Sequence, residues 1–215
     1  MRVRVSIANM TPRICVEGDD RFRFFGIMNK GKLKKGVRQI NPLGGAALLT
    51  TAGNRFLKTT FNAELQEGVG NGMDARFFID DSRLEEVLNL FAKREEELYE
   101  IDPNREILDE LTTKDLPNQE HPILSPQEGM LITTKFVKTV RQVPGRNPTS
   151  ALETKDVPTY RLFNLFDITA PQQIVDRILG SQFIRTISGD QVQLTQKGVL
   201  QETADGCRIG DNFMM

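Results

Sequence analysis

The sequence predicts a mixed fold of the α/β (α+β) class, a mixed β-sheet with a helix on each side, and three observations carry that expectation. Residues 2–8 and 13–17, which alternate, and 22–28, which are aromatic and dense, read as strands. Two longer extended runs, 130–142 and 158–169, have the length and alternation of strands paired with each other. Between these groups the periodicity becomes helical, with Leu84, Val87, Leu88, Phe91 and Leu98 on one stripe and Ile107, Leu108 and Leu111 on another. A chain of 215 residues fits one domain with an insertion better than two domains, and it can bury a sizeable core.

Taken in order, Gly18-Asp19-Asp20 is a turn between the second and third strand-like runs. A basic loop follows with Lys30, Lys32, Lys34, Lys35 and Arg38, and Asn41-Pro42-Leu43-Gly44-Gly45 breaks the chain before the apolar run 46–49. Residues 67–73 read as a flexible loop. Gly68, Gly70 and Gly72 lack the strand before, the helix after and the Lys-Ser/Thr of a phosphate-binding loop. Residues 75–79 are strand-like, and Ser82 with Glu85 forms a capping box for the helix that follows. Glu95, Glu96 and Glu97 are expected on a wet face near that helix's end. A proline-punctuated connection spans 116–128, and an excursion rich in Pro, Gly and Asn starts at Val143. A helix begins near Pro171 and stops at Gly180, and the tail from residue 183 holds a short strand pair with a turn or helix near Thr195.

Composition excludes several classes of function. Apolar content of 39% and charged content of 27% are ordinary for a soluble globular protein. With a formal net charge of −1, no global field favours nucleic acid or an anionic membrane. Two Tyr and no Trp offer little base stacking, although 13 Phe are present, so a nucleic-acid partner is disfavoured. No apolar run approaches the roughly 20 residues that span a bilayer, and residues 1–7 lack a signal-peptide core. Cys15 and Cys207 are too few for a disulfide framework, which suits a reducing cytoplasm; His121 alone rules out a histidine-cluster metal site. No partner protein is indicated, and a homodimer is left open.

The chemistry concentrates in residues 102–113. Asp102 is a good N-cap and Pro103 suits the first helical position. Glu106 and Glu110 are four apart and share a face, with Asp109 beside Glu110. Their mutual repulsion would become attraction around a hard cation such as Mg2+, which takes oxygen ligands. Arg105, four before Asp109, can orient it through a charged hydrogen bond.

Arg105, Glu106, Ile107, Asp109 and Glu110 resemble the R-E-U-x-E-E frame of a Nudix box, with Asp in place of one Glu, and Glu97 stands where the upstream box Glu falls. Pro42-Leu43-Gly44-Gly45 resembles the turn that precedes the box, with roughly 45 residues inserted before Glu97. The spacing from Ala75-Arg76-Phe77-Phe78-Ile79 through an amphipathic helix to Asp102-Pro103-Asn104-Arg105-Glu106 is similar to the divergent Nudix group associated with SMODS nucleotidyltransferases, where an interrupted box is normal. Three positions depart from the box: Phe91 for its opening glycine, and Thr112 and Thr113 for its closing glycine and apolar residue.

The resemblance implies a Nudix-like α/β/α sandwich around a mixed β-sheet, as a single Nudix-like domain over 1–215 with an insertion at about 46–90. It implies a hydrolase that cleaves the diphosphate bond of a nucleoside diphosphate linked to another group, ADP-ribose-like or NAD-like, in nucleotide-signalled prokaryotic defence. The alternative is a degenerate module that binds or senses a nucleotide without hydrolysis. Mg2+ or Mn2+ is the implied cofactor, with Glu106, Asp109 and Glu110 as ligands. Glu106, Arg105 and Glu110 are the implied catalytic residues, and Gly44, Gly45 and Arg38 the expected substrate-binding ones. The lysines of the basic loop, or Lys135, Lys138 and Arg141, would line the approach of an anionic substrate, and Glu128 is a candidate auxiliary base.

Overall fold

Apolar side chains at Val3, Val5, Ile7, Met10, Ile14 and Cys15 are all buried, and they belong to one uninterrupted strand, β1 (Arg2–Val16). The two runs expected at 2–8 and 13–17 are therefore a single element. Its polar middle is satisfied from within: Asn9 Nδ2 donates to the carbonyls of Glu100 and Asp102, and Thr11 Oγ1 donates to the carbonyl of Leu43. The expected turn follows, with Gly18 at φ +81° and Asp19 N–H donating to the Val16 carbonyl. It leads into β2 (Arg23–Met28), antiparallel to β1 with Arg13 opposite Phe24. The computed structural model describes residues 1–66, 73–114, 116–143 and 157–214. The glycine run at 68–72 and the excursion after Val143 lie outside the described residues.

The remaining elements are α1 (Lys30–Leu33), β3 (Gln39–Asn41), β4 (Leu43–Ala46), α2 (Thr51–Phe61), β5 (Glu64–Leu65), β6 (Arg76–Asp80), α3 (Leu84–Ala92), α4 (Asn104–Thr112), α5 (Pro126–Gly129), β7 (Thr133–Gln142), β8 (Thr159–Ala170), α6 (Gln172–Leu179), β9 (Ile184–Ile187), α7 (Gly189–Gln196) and β10 (Arg208–Ile209). The sheet is mixed, because β10 runs parallel to β3 while β1–β2, β2–β3, β2–β9, β1–β6 and β5–β6 are antiparallel. With its helices this is the expected α+β class. As expected, β7 pairs with β8.

The chain forms two compact units. The first comprises Met1–Asn9, Gly45–Asp102 and Lys138–Asn164. In it Val3 faces Ile79 across β1 and β6, and Val5, Leu57, Phe77, Val87, Phe91 and Tyr99 share one apolar core. Tyr99 OH donates to the Phe91 carbonyl at 2.8 Å and accepts from Asn164 Nδ2, which also donates to Asn9 Oδ1. Helix α3 is not opened by a Ser82–Glu85 box: Asp80 accepts from the Ser82 N–H and starts a 3-10 turn over Asp81–Arg83, from which α3 continues. Leu98 is buried but lies past the end of α3, and the three glutamates occupy the turn between them.

The second unit comprises Met10–Gly44, Pro103–Val137 and Leu165–Met215. There β2 is flanked by β1, β3 and β9, and Ile14, Phe25, Ile27, Ile107, Leu111, Ile168, Val175 and Phe213 pack in one core. Within the tail the described residues pair through one antiparallel bridge, Glu202 with Arg208, while β9 runs against β2, with Phe24 opposite Ile187, and β10 against β3. Among the described residues no helix is long and apolar enough to cross a membrane.

Candidate functional site

Helix α4 is placed by its buried stripe, Ile107 and Leu111, which leaves the acidic face outward. It starts one residue later than expected, with Pro103 rather than Asp102 at the N-cap. The Pro103 carbonyl accepts from Ile107 N–H, while that of Asp102 is already engaged by Asn9. At the other end the helix stops at Thr113, whose backbone is extended (φ −109°, ψ 161°). No left-handed glycine is needed there, because the Thr112 and Thr113 hydroxyls donate back to the carbonyls of Leu108 and Asp109. The one-turn helix α5 packs against α4 at Gly129, where a Cβ would come within 2.7 Å of Leu108 Cδ2.

The acids on the outward face are not equivalent. Arg105 Nη1 contacts Glu106 Oε1 at 2.7 Å and stands 3.9 Å from Asp109 Oδ2. Glu110 turns the other way, and its Oε2 accepts from the Gly44 N–H at 2.9 Å. Gly44 sits in β4 at φ +121°, a conformation that side-chain-bearing residues rarely adopt, which explains a glycine at this position. Burial pushes the Glu110 carboxyl up to about 8; the Gly44 N–H opposes the rise, and the charges of Glu106 and Asp109 add to it.

A cavity of about 410 Å3 adjoins this face, lined on the helix side by Arg105, Glu106, Asp109 and Glu110. The rest of the lining includes Pro42 and Gly44, the polar residues Asn29, Lys30, Asn41 and Asn212, and the apolar Met10 and Met28. Five of the expected site residues, Arg105, Glu106, Asp109, Glu110 and Gly44, therefore meet at one cavity. Gly45 is the next residue of β4 and is half-buried. Arg38 does not line the cavity: its guanidinium donates to the Asp205 carbonyl and carboxylate at 2.9 and 2.6 Å, and Arg185 donates to the same carboxylate. Of the basic loop only Lys30 reaches the lining.

Lys135, Lys138 and Arg141 are exposed on β7, and Arg141 binds Glu85 and Asn89. Glu128 is engaged structurally, capping α5 through Ser125 and pairing with Arg177, and these bonds hold its carboxyl below the usual range. Glu97 is exposed in the turn after α3, within the first unit. Three asparagines of the lining carried no sequence signal toward the site, since isolated Asn residues mark turns and caps far more often.

Comparison with known families decides the affiliation: the family model described as "SMODS-associated NUDIX domain" matches residues 2–205. The chain belongs to this family. No curated protein and no solved structure matches it. Its function is thus of the Nudix type, directed at nucleotide-derived small molecules, and Nudix domains generally use divalent metals.

The α4 face meets that requirement in its donor chemistry, since three carboxylates suit a hard cation, and a cation would offset the repulsion that Glu110 feels. Among the described residues, however, no three acidic, histidine or cysteine side chains are gathered as a ready-made metal cage. Arg105 holds Glu106, Asp109 is exposed and Glu110 is turned to Gly44. Phe91, the residue expected in place of the box's opening glycine, is buried in the core of the first unit.

Proposed function

We propose that this Nudix domain hydrolyses the diphosphate bond of a nucleoside diphosphate linked to another group, such as an ADP-ribose-like or NAD-like compound, with Mg2+ or Mn2+ as cofactor. The observation that carries the proposal is the desolvated Glu110 carboxyl, fixed by the Gly44 N–H beside Glu106, Asp109 and Arg105 on one cavity wall. Glu106, Asp109 and Glu110 would hold the cation. When bound, it would neutralise diphosphate oxygens and lower the pKa of a coordinated water.

The chain's own residues do the rest. Arg105 orients Glu106 through their 2.7 Å contact. Glu106 acts as general base, taking a proton from the attacking water on a carboxylate oxygen. The water oxygen bonds to one phosphorus as the bridging P–O bond breaks, giving a nucleoside monophosphate and a phosphorylated second product. Glu110 anchors the end of the acidic face to β4, and Lys30 supplies positive charge to the cavity lining.

We further propose that residues 1–215 form a single Nudix-like domain with an insertion at about 46–90, a span that lies within the Gly45–Asp102 stretch of the first unit. The activity belongs, in this reading, to nucleotide-signalled prokaryotic defence in the cytoplasm. The absence of a ready-made cage among the described residues favours a second reading, a module that binds or senses a nucleotide without cleaving it. A panel of ADP-ribose, NAD and related diphosphates incubated with Mg2+ separates the two. Turnover abolished in Glu106→Gln and Glu110→Gln supports the hydrolase; saturable binding with no turnover of any compound supports the sensor.

A further inference from the structure

We infer that the carboxamide nitrogens of Asn29 and Asn41 bind phosphoryl oxygens of the substrate in the cavity that the acids also line, a role that rests on the diphosphate reading above. Both residues are half-buried and line the same cavity. In each, the side-chain oxygen is already committed: Asn29 Oδ1 accepts from the Lys32 N–H at 2.9 Å, and Asn41 Oδ1 accepts from Gln39 Nε2 at 3.1 Å. Among the described residues neither Nδ2 donates to a protein group. The backbone donor fixes the orientation of the Asn29 amide, and Gln39 pairs with the Asn41 oxygen, so in this arrangement each residue keeps an NH2 group to meet a ligand.

The position of Asn41 is built by close backbone approach. A Cβ on Gly210 would lie 2.0 Å from Asn41 Oδ1, and one on Gly26 would lie 2.6 Å from the Asn41 carbonyl oxygen. The Gly210 N–H donates to the neighbouring Ile40 carbonyl at 2.8 Å. Only glycine at these two places lets the surrounding backbone press against Asn41 and hold its side chain still.

Two free NH2 groups suit a ligand rich in acceptors. Ionised phosphoryl oxygens accept and do not donate, and Lys30 adds positive charge to the same cavity lining. A sugar hydroxyl can also accept from these amides, but it is neutral, whereas a phosphoryl oxygen carries the negative charge that strengthens such a bond. The acids and the amides then have separate roles: the acids serve the cation and the attacking water while the amides fix the diphosphate.

The test is isothermal titration of the α,β-methylene analogue of ADP-ribose in the presence of Mg2+, with adenosine as a probe that has no phosphate. Asn29→Asp and Asn41→Asp keep the size and the accepting oxygen but replace the donor by a negative oxygen. Each is expected to weaken the analogue about tenfold or more, the scale of one hydrogen bond to a charged group, without changing adenosine binding. Thermal melting checks that each variant is folded; where an Asp variant is not, Asn→Ala at that position removes the donor alone and is read the same way.

Wild-type affinity in both Asp variants would overturn the inference while leaving the hydrolase intact, provided Glu106→Gln still abolishes turnover. Equal weakening of adenosine would overturn it too, by assigning the amides to the nucleoside. If the wild-type protein neither binds nor cleaves a diphosphate, the reading of the site falls first and the inference with it.

Discussion

Replacing Glu110 with Gln removes one ionisable group from α4 while keeping an oxygen that can accept from the Gly44 N–H. In the folded chain burial pushes that carboxyl from its ordinary 4.5 up to about 8. In the unfolded chain it titrates at its ordinary value. Between the two, the unfolded chain has released a proton that the folded chain keeps, so the folded state binds more protons and loses stability as pH rises. The penalty is absent below the unfolded value and complete above about 8. At ~1.36 kcal/mol for each pH unit between the two values, it reaches at most ~5 kcal/mol, an upper bound because the Glu110 residue is partly exposed. Urea unfolding followed by circular dichroism at pH 5 and pH 8.5 measures it. The wild-type protein should lose several kcal/mol more than Glu110→Gln between the two conditions. Parallel pH dependence in the two proteins would refute the desolvation of this carboxyl and the Gly44 contact as its anchor.

Two further substitutions probe the supports of the site. Gly44→Ala forces a side chain onto a residue at φ +121°; it should cost about 1–3 kcal/mol in urea unfolding and lower any turnover, as the N–H that holds Glu110 shifts. Tyr99→Phe deletes the hydroxyl that bonds the Phe91 carbonyl and Asn164 inside the first unit, and should cost about 1–3 kcal/mol by leaving buried partners unpaired; a loss below the error of the unfolding curves would sink that account.

Much of this arrangement is legible in the residues themselves, and the failures have physical causes. Helix α4 is readable because Ile107 and Leu111 repeat at helical spacing with acids between them, and the pairing of β7 with β8 is readable from long alternating runs. The continuity of β1 is hidden because Asn9, Thr11 and Pro12 look like an interruption. The polar side chains among them are instead satisfied by carbonyls from residues 43, 100 and 102. Helix α2 is hidden for the opposite reason: its sequence is rich in Thr and contains Gly, both poor helix formers. It persists because Gly53, Leu57 and Phe61 are buried along one face, and a Cβ at Gly53 would come 1.9 Å from the Leu98 carbonyl oxygen.

Within the site, the acids of α4 are visible in the sequence as a local cluster. The contact that distinguishes Glu110 is not, since Gly44 is 66 residues away along the chain. Arg38 looks available to an anion because a basic loop has no visible partner; Asp205, 167 residues later, supplies one. The amides of Asn29 and Asn41 become informative only when the groups occupying their oxygens are known.

The central claim, that the carboxylates of α4 hold a hard divalent cation, is tested most directly by titrating the protein with Mn2+ and following free Mn2+ by electron paramagnetic resonance. The account predicts one saturable site in the wild-type protein, competed by Mg2+, and its loss when Glu106 and Glu110 are both changed to Gln. Undiminished Mn2+ binding by that double variant, verified as folded, would contradict it.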